Sequence, residues 1–144
     1  MRTIEVYAPA SIGNIGPGFD VLGAAVTGIG DTVIARKKSG PGVEVIEITG
    51  EGAGLPFDAG KNTAGIAALK LLRLIGANEG LTLRIQKGVP VASGLGSSAA
   101  SAVAGGFAAA RAFGDPVSKD ELLRVCTEAE AEVSGGFFAD NTAS

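Results

Sequence analysis

Histidine does not occur in this 144-residue chain, tryptophan is missing as well, and cysteine and methionine occur once each. Without an imidazole there can be no Ser-His-Asp relay and no His-ligated metal. The lone cysteine, Cys126, excludes an internal disulfide and fits a reducing compartment. It falls among apolar residues of a predicted helix, where a small buried side chain is the expected role rather than a nucleophile. Lys and Arg together number 12 against 15 Asp and Glu, a net charge of −3 with no basic run, which argues against a nucleic-acid partner. No apolar stretch reaches the roughly 18 residues of a membrane helix, and residues 1–11 lack the apolar core of a signal peptide. A soluble, cytoplasmic protein with no membrane partner is expected.

Hydrophobic residues make up 46% of the chain and charged ones only 19%, enough for a compact fold with a real core at this length. The 23 glycines cluster at turns and loops without a repeat. One stretch organises the rest: residues 89–100 read VPVASGLGSSAA and run into alanine-rich sequence as far as Ala112. Gly94 and Gly96 let a ligand approach the main chain, Ser97 or Ser98 suits a helix N-cap, and residues 99–112 favour helix apart from Gly105 and Gly106. A glycine-rich loop feeding a helix N-terminus gathers free N–H groups at the positive end of the helix dipole. Phosphate is the matching anion. No Gly-Lys-Ser/Thr follows, so the loop is not a Walker A, and its glycine spacing is not that of a dinucleotide fingerprint. Taken alone, a Gly-x-Gly also describes a helix that starts with glycines for close packing.

Along the chain, residues 3–7 alternate as a strand closed by Pro9. Residues 8–20, APASIGNIGPGFD, are too rich in Gly and Pro for a regular helix or strand. They form either a surface loop or the lining of a pocket, the latter favoured by Ile12 and Phe19 in a stretch without Lys or Glu. Residues 21–27 are short and apolar, and residues 31–38 read as a strand with a charged end. Residues 43–49, VEVIEIT, alternate as a half-buried antiparallel strand, joined to the previous one by a hairpin connection at residues 39–42. Ala64, Ala67, Ala68, Leu71, Leu72 and Ile75 give helical spacing after Asn62, with Lys70 and Arg73 near the C-terminal end. Residues 81–86 alternate again and deliver the chain to the glycine loop. Asp115 and Pro116 break the alanine-rich helix, and Ser118 with Glu121 forms a capping box for a helix over residues 119–133. The order predicts an α+β domain with helices packed on a largely antiparallel sheet.

Three stretches resemble the GHMP kinase superfamily, and homoserine kinases in particular. The first is Pro9-Ala10 through Asn14, Gly16, Gly18, Phe19 and Asp20, followed by Leu22-Gly23. The second is Pro90 with Gly94-Leu95-Gly96-Ser97-Ser98-Ala99-Ala100. The third runs from Glu130 through Ser134-Gly135 to Asp140-Asn141. The resemblance implies the N-terminal GHMP fold, similar to domain 2 of ribosomal protein S5, and ATP-dependent phosphorylation of the homoserine hydroxyl on the route to threonine. It implies that Pro90, Gly94, Leu95, Gly96, Ser97 and Ser98 hold the ATP phosphates and that Ser98 and Glu130 hold Mg²⁺, a hard cation that prefers oxygen ligands. Glu130 shares its helix with Glu128 and Glu132; the trio also reads as a solvated acidic face, with the ligand role favoured for Glu130. Asn62 matches a residue near the adenine, or caps its helix. Asn14, Asp20 and Asp140 would contact homoserine, Asp20 by pairing with its ammonium group. Asn141 stands where related kinases place an aspartate base, so with Asn141 and Ser98 as the catalytic residues, catalysis would rest on positioning and charge stabilisation.

Phe138 stands where the family has a histidine, which removes a hydrogen-bonding side chain from the substrate edge. The family continues into a second domain beyond the length of this chain. An N-terminal half of a homoserine kinase, a non-catalytic nucleotide- or phosphate-binding module, and an engineered or structural use of the fold are the three readings. Apolar surface left by a second domain predicts a homo-oligomer.

Overall fold

A computed structural model describes residues 2–13, 23–52, 54–90 and 96–134. Strands β1 (Thr3–Gly13), β2 (Gly23–Lys38) and β3 (Val43–Gly50) precede helix α1 (Thr63–Ile75) and strand β4 (Gly80–Lys87). Helices α2 (Ser97–Ala112) and α3 (Lys119–Ser134) follow. The strands form one sheet in the order β1-β2-β4-β3, with β1/β2 and β2/β4 antiparallel and β3/β4 parallel. The α+β class and the mostly antiparallel sheet are as expected. Among the described residues no helix is long and apolar enough to cross a membrane.

Two strand expectations are corrected. Residues 39–42 do not close a hairpin, and β3 is not antiparallel to its neighbour: β4 lies between β2 and β3. The physical reason is α1. A helix between two strands returns the chain to the end where the first strand began, so the second must lie parallel to it. The second correction concerns residues 8–13, which continue β1 instead of starting a loop, with Ala10 opposite Val26 and Gly13 opposite Gly23. Composition misled because Pro9 sits at a register shift on an edge strand, where its missing N–H takes nothing from the ladder.

The core lies between the sheet and the helices. Inward-facing Val6, Ala8, Val33, Ala35, Leu81, Leu83 and Ile85 meet the helical layer. Helix α2 sits at its centre, packed on β1, β2, α1 and α3. Its buried residues are almost all Ala or Gly, and that smallness sets the spacing. A Cβ at Gly105 would lie 2.5 Å from the Ala64 carbonyl oxygen of α1, so the two helices cross closer than an alanine permits. The expected apolar face of α1 is buried at Ala64, Ala67, Ala68, Leu71 and Leu72. Cys126 is fully buried, in the core as expected. The capping box on α3 is formed: Glu121 N–H donates to Ser118 Oγ at 3.1 Å, and Ser118 N–H donates to Glu121 Oε1 at 3.3 Å.

Candidate phosphate-binding site

The start of α2 differs from the expected serine cap. Gly96 occupies the N-cap in the left-handed region, at φ 69° and ψ 41°, and no side chain caps the helix. Ser97 and Ser98 are already helical, and a residue inside the first turn cannot fold its hydroxyl back as an N-cap, whose backbone must lie outside the helix. The first backbone bond runs from Ala100 N–H to Gly96 O at 2.8 Å. The amides of Ser97, Ser98 and Ala99 therefore precede the helical ladder at the positive end of the dipole. No acidic side chain occupies that first turn, so nothing on it competes with an incoming anion.

The hydroxyls freed from capping reach neighbouring elements. Ser98 Oγ donates to Glu130 Oε1 on α3 at 3.0 Å, which brings these two sequence-predicted residues together. The acidic trio on α3 divides rather than forming one solvated face. Glu132 pairs with Lys70 of α1, and Glu128 borders a groove between α1 and α3, while Glu130 turns to the start of α2. Among the described residues no cluster of three or more Asp, Glu, His or Cys could hold a metal alone. A hydroxyl and a carboxylate this close are oxygen donors of the kind that a hard divalent cation would accept.

Beneath the helix start lies a buried ion pair that the sequence reading missed. Lys87 Nζ donates to Asp31 Oδ2, to Ser97 O at 3.0 Å, and to Ser97 Oγ and Ser101 Oγ at 2.8 Å each. Asp31 Oδ1 accepts the N–H groups of Gly88 and Val89, both at 3.0 Å, and Oδ2 also accepts Ser101 Oγ at 2.9 Å. Ser97 Oγ in turn donates to Val89 O at 3.3 Å. Burial pushes the Lys87 ammonium below its ordinary pKa, against the attraction of Asp31 and the hydrogen bond to it. A signal for this pair was present. Lys87 continues the inward parity of Leu81, Leu83 and Ile85, and Asp31 continues that of Val33 and Ala35. The Thr32–Gln86 register sets the two side by side, one step further along.

Asn62 is buried and caps α1: its Oδ1 accepts Ala64 N–H at 3.1 Å and Gly65 N–H at 3.3 Å, and its Nδ2 donates to Pro56 O at 3.0 Å. The capping alternative is thus realised, and the same amide pins the loop before α1. Pro90 follows Val89 at the entrance to the glycine loop and is partly buried. Asn14, Asp20, Gly94, Leu95, Asp140, Asn141 and Phe138 lie outside the described residues.

Comparison with known proteins bears on the fold and the family. Residues 62–144 match the family model described as GHMP kinases N terminal domain. The chain is 41% identical over 153 residues to a homoserine kinase of Chlorobium phaeobacteroides, covering 99% of this chain and 48% of the relative. It is 40% identical over 141 residues to the homoserine kinase of Xanthomonas campestris, covering 98% of this chain and 44% of the relative. The crystal structure of homoserine kinase from Cytophaga hutchinsonii superposes with a TM-score of 0.93 at 42% identity, over 99% of this chain and 45% of that one. Mevalonate kinase of Methanococcus jannaschii, at 14% identity and a TM-score of 0.76, shares the fold. The chain spans about half the length of the curated relatives it matches. With the family model covering more than half of its residues, the chain belongs to the GHMP kinase family, through the N-terminal domain of that family.

Proposed function

We propose that this chain is the phosphate-binding half of a homoserine kinase, acting in ATP-dependent phosphorylation of the homoserine hydroxyl to O-phospho-homoserine. The observation that carries the reading is the start of α2. An uncapped helix N-terminus behind Gly96 offers the amides of Ser97, Ser98 and Ala99, beside a hydroxyl–carboxylate pair at Ser98 and Glu130. The homoserine kinases named above supply the substrate.

In this reading the backbone of Gly94, Leu95, Gly96, Ser97 and Ser98 cradles the ATP phosphates, Pro90 sets the loop entrance, and Asn62 holds the loop near the adenine. Ser98 and Glu130 hold Mg²⁺, which when bound neutralises charge on the phosphate oxygens. The amides of the first turn stabilise charge that develops on the transferred phosphoryl group. Asn14, Asp20 and Asp140 orient homoserine, Asp20 by accepting from its ammonium group, and Asn141 positions the hydroxyl without taking its proton. A segment equivalent to the remaining half of the relatives completes the cleft. Self-association belongs to the same reading, since apolar surface that a second domain covers in the relatives would otherwise face solvent.

The test is isothermal titration of Mg-ATP into this chain, with Ser98→Ala as control, followed by a phosphoryl-transfer assay with homoserine after adding a C-terminal homoserine kinase half. Saturable binding that weakens in the control, then turnover on complementation, is the expected result. Binding without turnover would leave a nucleotide-binding module, and no binding at millimolar nucleotide would overturn the reading.

A further inference from the structure

We propose that Lys87 and Asp31 are positioning residues for the phosphate loop, clamping both of its ends to one buried ion pair. The inference rests on the functional reading above and deepens it at the same site. At the entrance, Asp31 Oδ1 holds the N–H groups of Gly88 and Val89. At the exit, Lys87 Nζ holds the carbonyl and hydroxyl of Ser97, and both partners hold the Ser101 hydroxyl one turn on. Ser97 Oγ closes the ring by donating back to the Val89 carbonyl. The segment between these anchors carries every glycine of the loop.

This arrangement assigns Lys87 a role unlike that of a phosphate-binding lysine. Its three N–H donors are shared among Asp31, Ser97 and Ser101, and its side chain is 1% exposed. Its charge is matched by a carboxylate that is wholly buried, so the pair presents no net charge to a nucleotide. What the pair does provide is a fixed direction. The amides of Ser97, Ser98 and Ala99 point where the first turn of α2 points, and that turn is tied to β2 and β4 by these bonds. A neutral pair of similar volume could fill the same space, because replacing both partners of a buried ion pair is often near-neutral for stability. A pair without the ammonium leaves the Ser97 carbonyl and the Ser97 and Ser101 hydroxyls without their Lys87 donor.

The test compares Lys87→Met with the double variant Asp31→Asn/Lys87→Met, which leaves no buried charge. Two readouts are taken: amide hydrogen exchange at Ala100 and Ser101 relative to Ala108–110, and the dissociation constant for Mg-ATP. In the double variant, thermal stability recovers relative to Lys87→Met, exchange in the first turn of α2 remains faster than in the parent, and Mg-ATP binds about tenfold more weakly, as expected for lost orienting hydrogen bonds. Ser98→Ala behaves differently, weakening nucleotide binding without altering that exchange. A stable double variant with parental exchange in the first turn overturns the proposal and reduces the pair to a structural one. Should the double variant not fold, Ser101→Ala removes the hydroxyl shared by both partners and must show the same exchange signature, or the proposal falls. If the parent binds no nucleotide, the functional reading fails, and the exchange comparison still decides the positioning role.

Discussion

Lys87 Nζ and Asp31 Oδ2 stand 2.5 Å apart on neighbouring antiparallel strands, with neither side chain more than 1% exposed. Removing one partner leaves a charge in the core with no water to take over its bonds. Asp31→Ala strands the Lys87 ammonium together with the N–H groups of Gly88 and Val89. A loss of about 3–5 kcal/mol is expected, the range for breaking a buried pair from one side. Urea denaturation measures it. A loss below about 1 kcal/mol would mean that water reaches the site and replaces those bonds.

Glu130→Gln keeps an acceptor for the Ser98 hydroxyl but removes the charge. Stability is expected to stay within about 0.5 kcal/mol of the parent, as for a substitution of a partly exposed side chain. Mg-ATP binding weakens while binding of ATP without magnesium does not. Titration at fixed ATP across a magnesium series separates the two, and equal weakening in both would remove Glu130 from the metal.

Gly105→Ala sets two effects against each other. Alanine favours a helix interior over glycine by about 1 kcal/mol. The added Cβ, however, meets the Ala64 carbonyl oxygen at 2.5 Å and the Ala64 Cα at 2.7 Å, backbone atoms that cannot swing aside. Overpacking costs of about 1–3 kcal/mol exceed the propensity gain, so the melting temperature should fall. Calorimetry showing a rise would mean that α1 and α2 separate freely.

Burial pushes the Cys126 thiol up to about 12 from an ordinary value of 9.0. A raised thiol pKa means that the folded chain keeps a proton the unfolded chain releases. The stability this supplies is fully present below pH 9.0 and is lost as the pH rises toward 12. Alkylation near pH 8 should therefore be slow and should track unfolding, with denaturant-dependent rates. Fast, denaturant-independent labelling would place the thiol in reach of solvent.

How much of this was legible from residues alone depends on the range of the interaction involved. Periodicity located α1 and β4, because burial on one face repeats along a single element: Ala64, Ala67, Ala68, Leu71 and Leu72 on the helix, Leu81, Leu83 and Ile85 on the strand. The capping box at Ser118 and Glu121 was readable for the same reason, since both its bonds close within one turn. Gly96 was legible as a special backbone position because its left-handed conformation at the start of α2 is a local requirement.

Local sequence determined most of the elements, the apolar core-facing residues and the family; the path of residues 8–13 and the partners distant in the chain were decided by the tertiary structure. Whether β3 runs parallel to β4 depends on the path of α1 and not on the alternation of residues 43–49, which serves either pairing equally. Whether Glu130 or its neighbours face Ser98 depends on how α3 lies against α2. The role of Asp31 depends on a lysine 56 positions away, which reaches it only because β4 inserts beside β2. A charged residue at a strand end reads as solvated until the fold removes the solvent, and the chain's own ammonium then replaces the water.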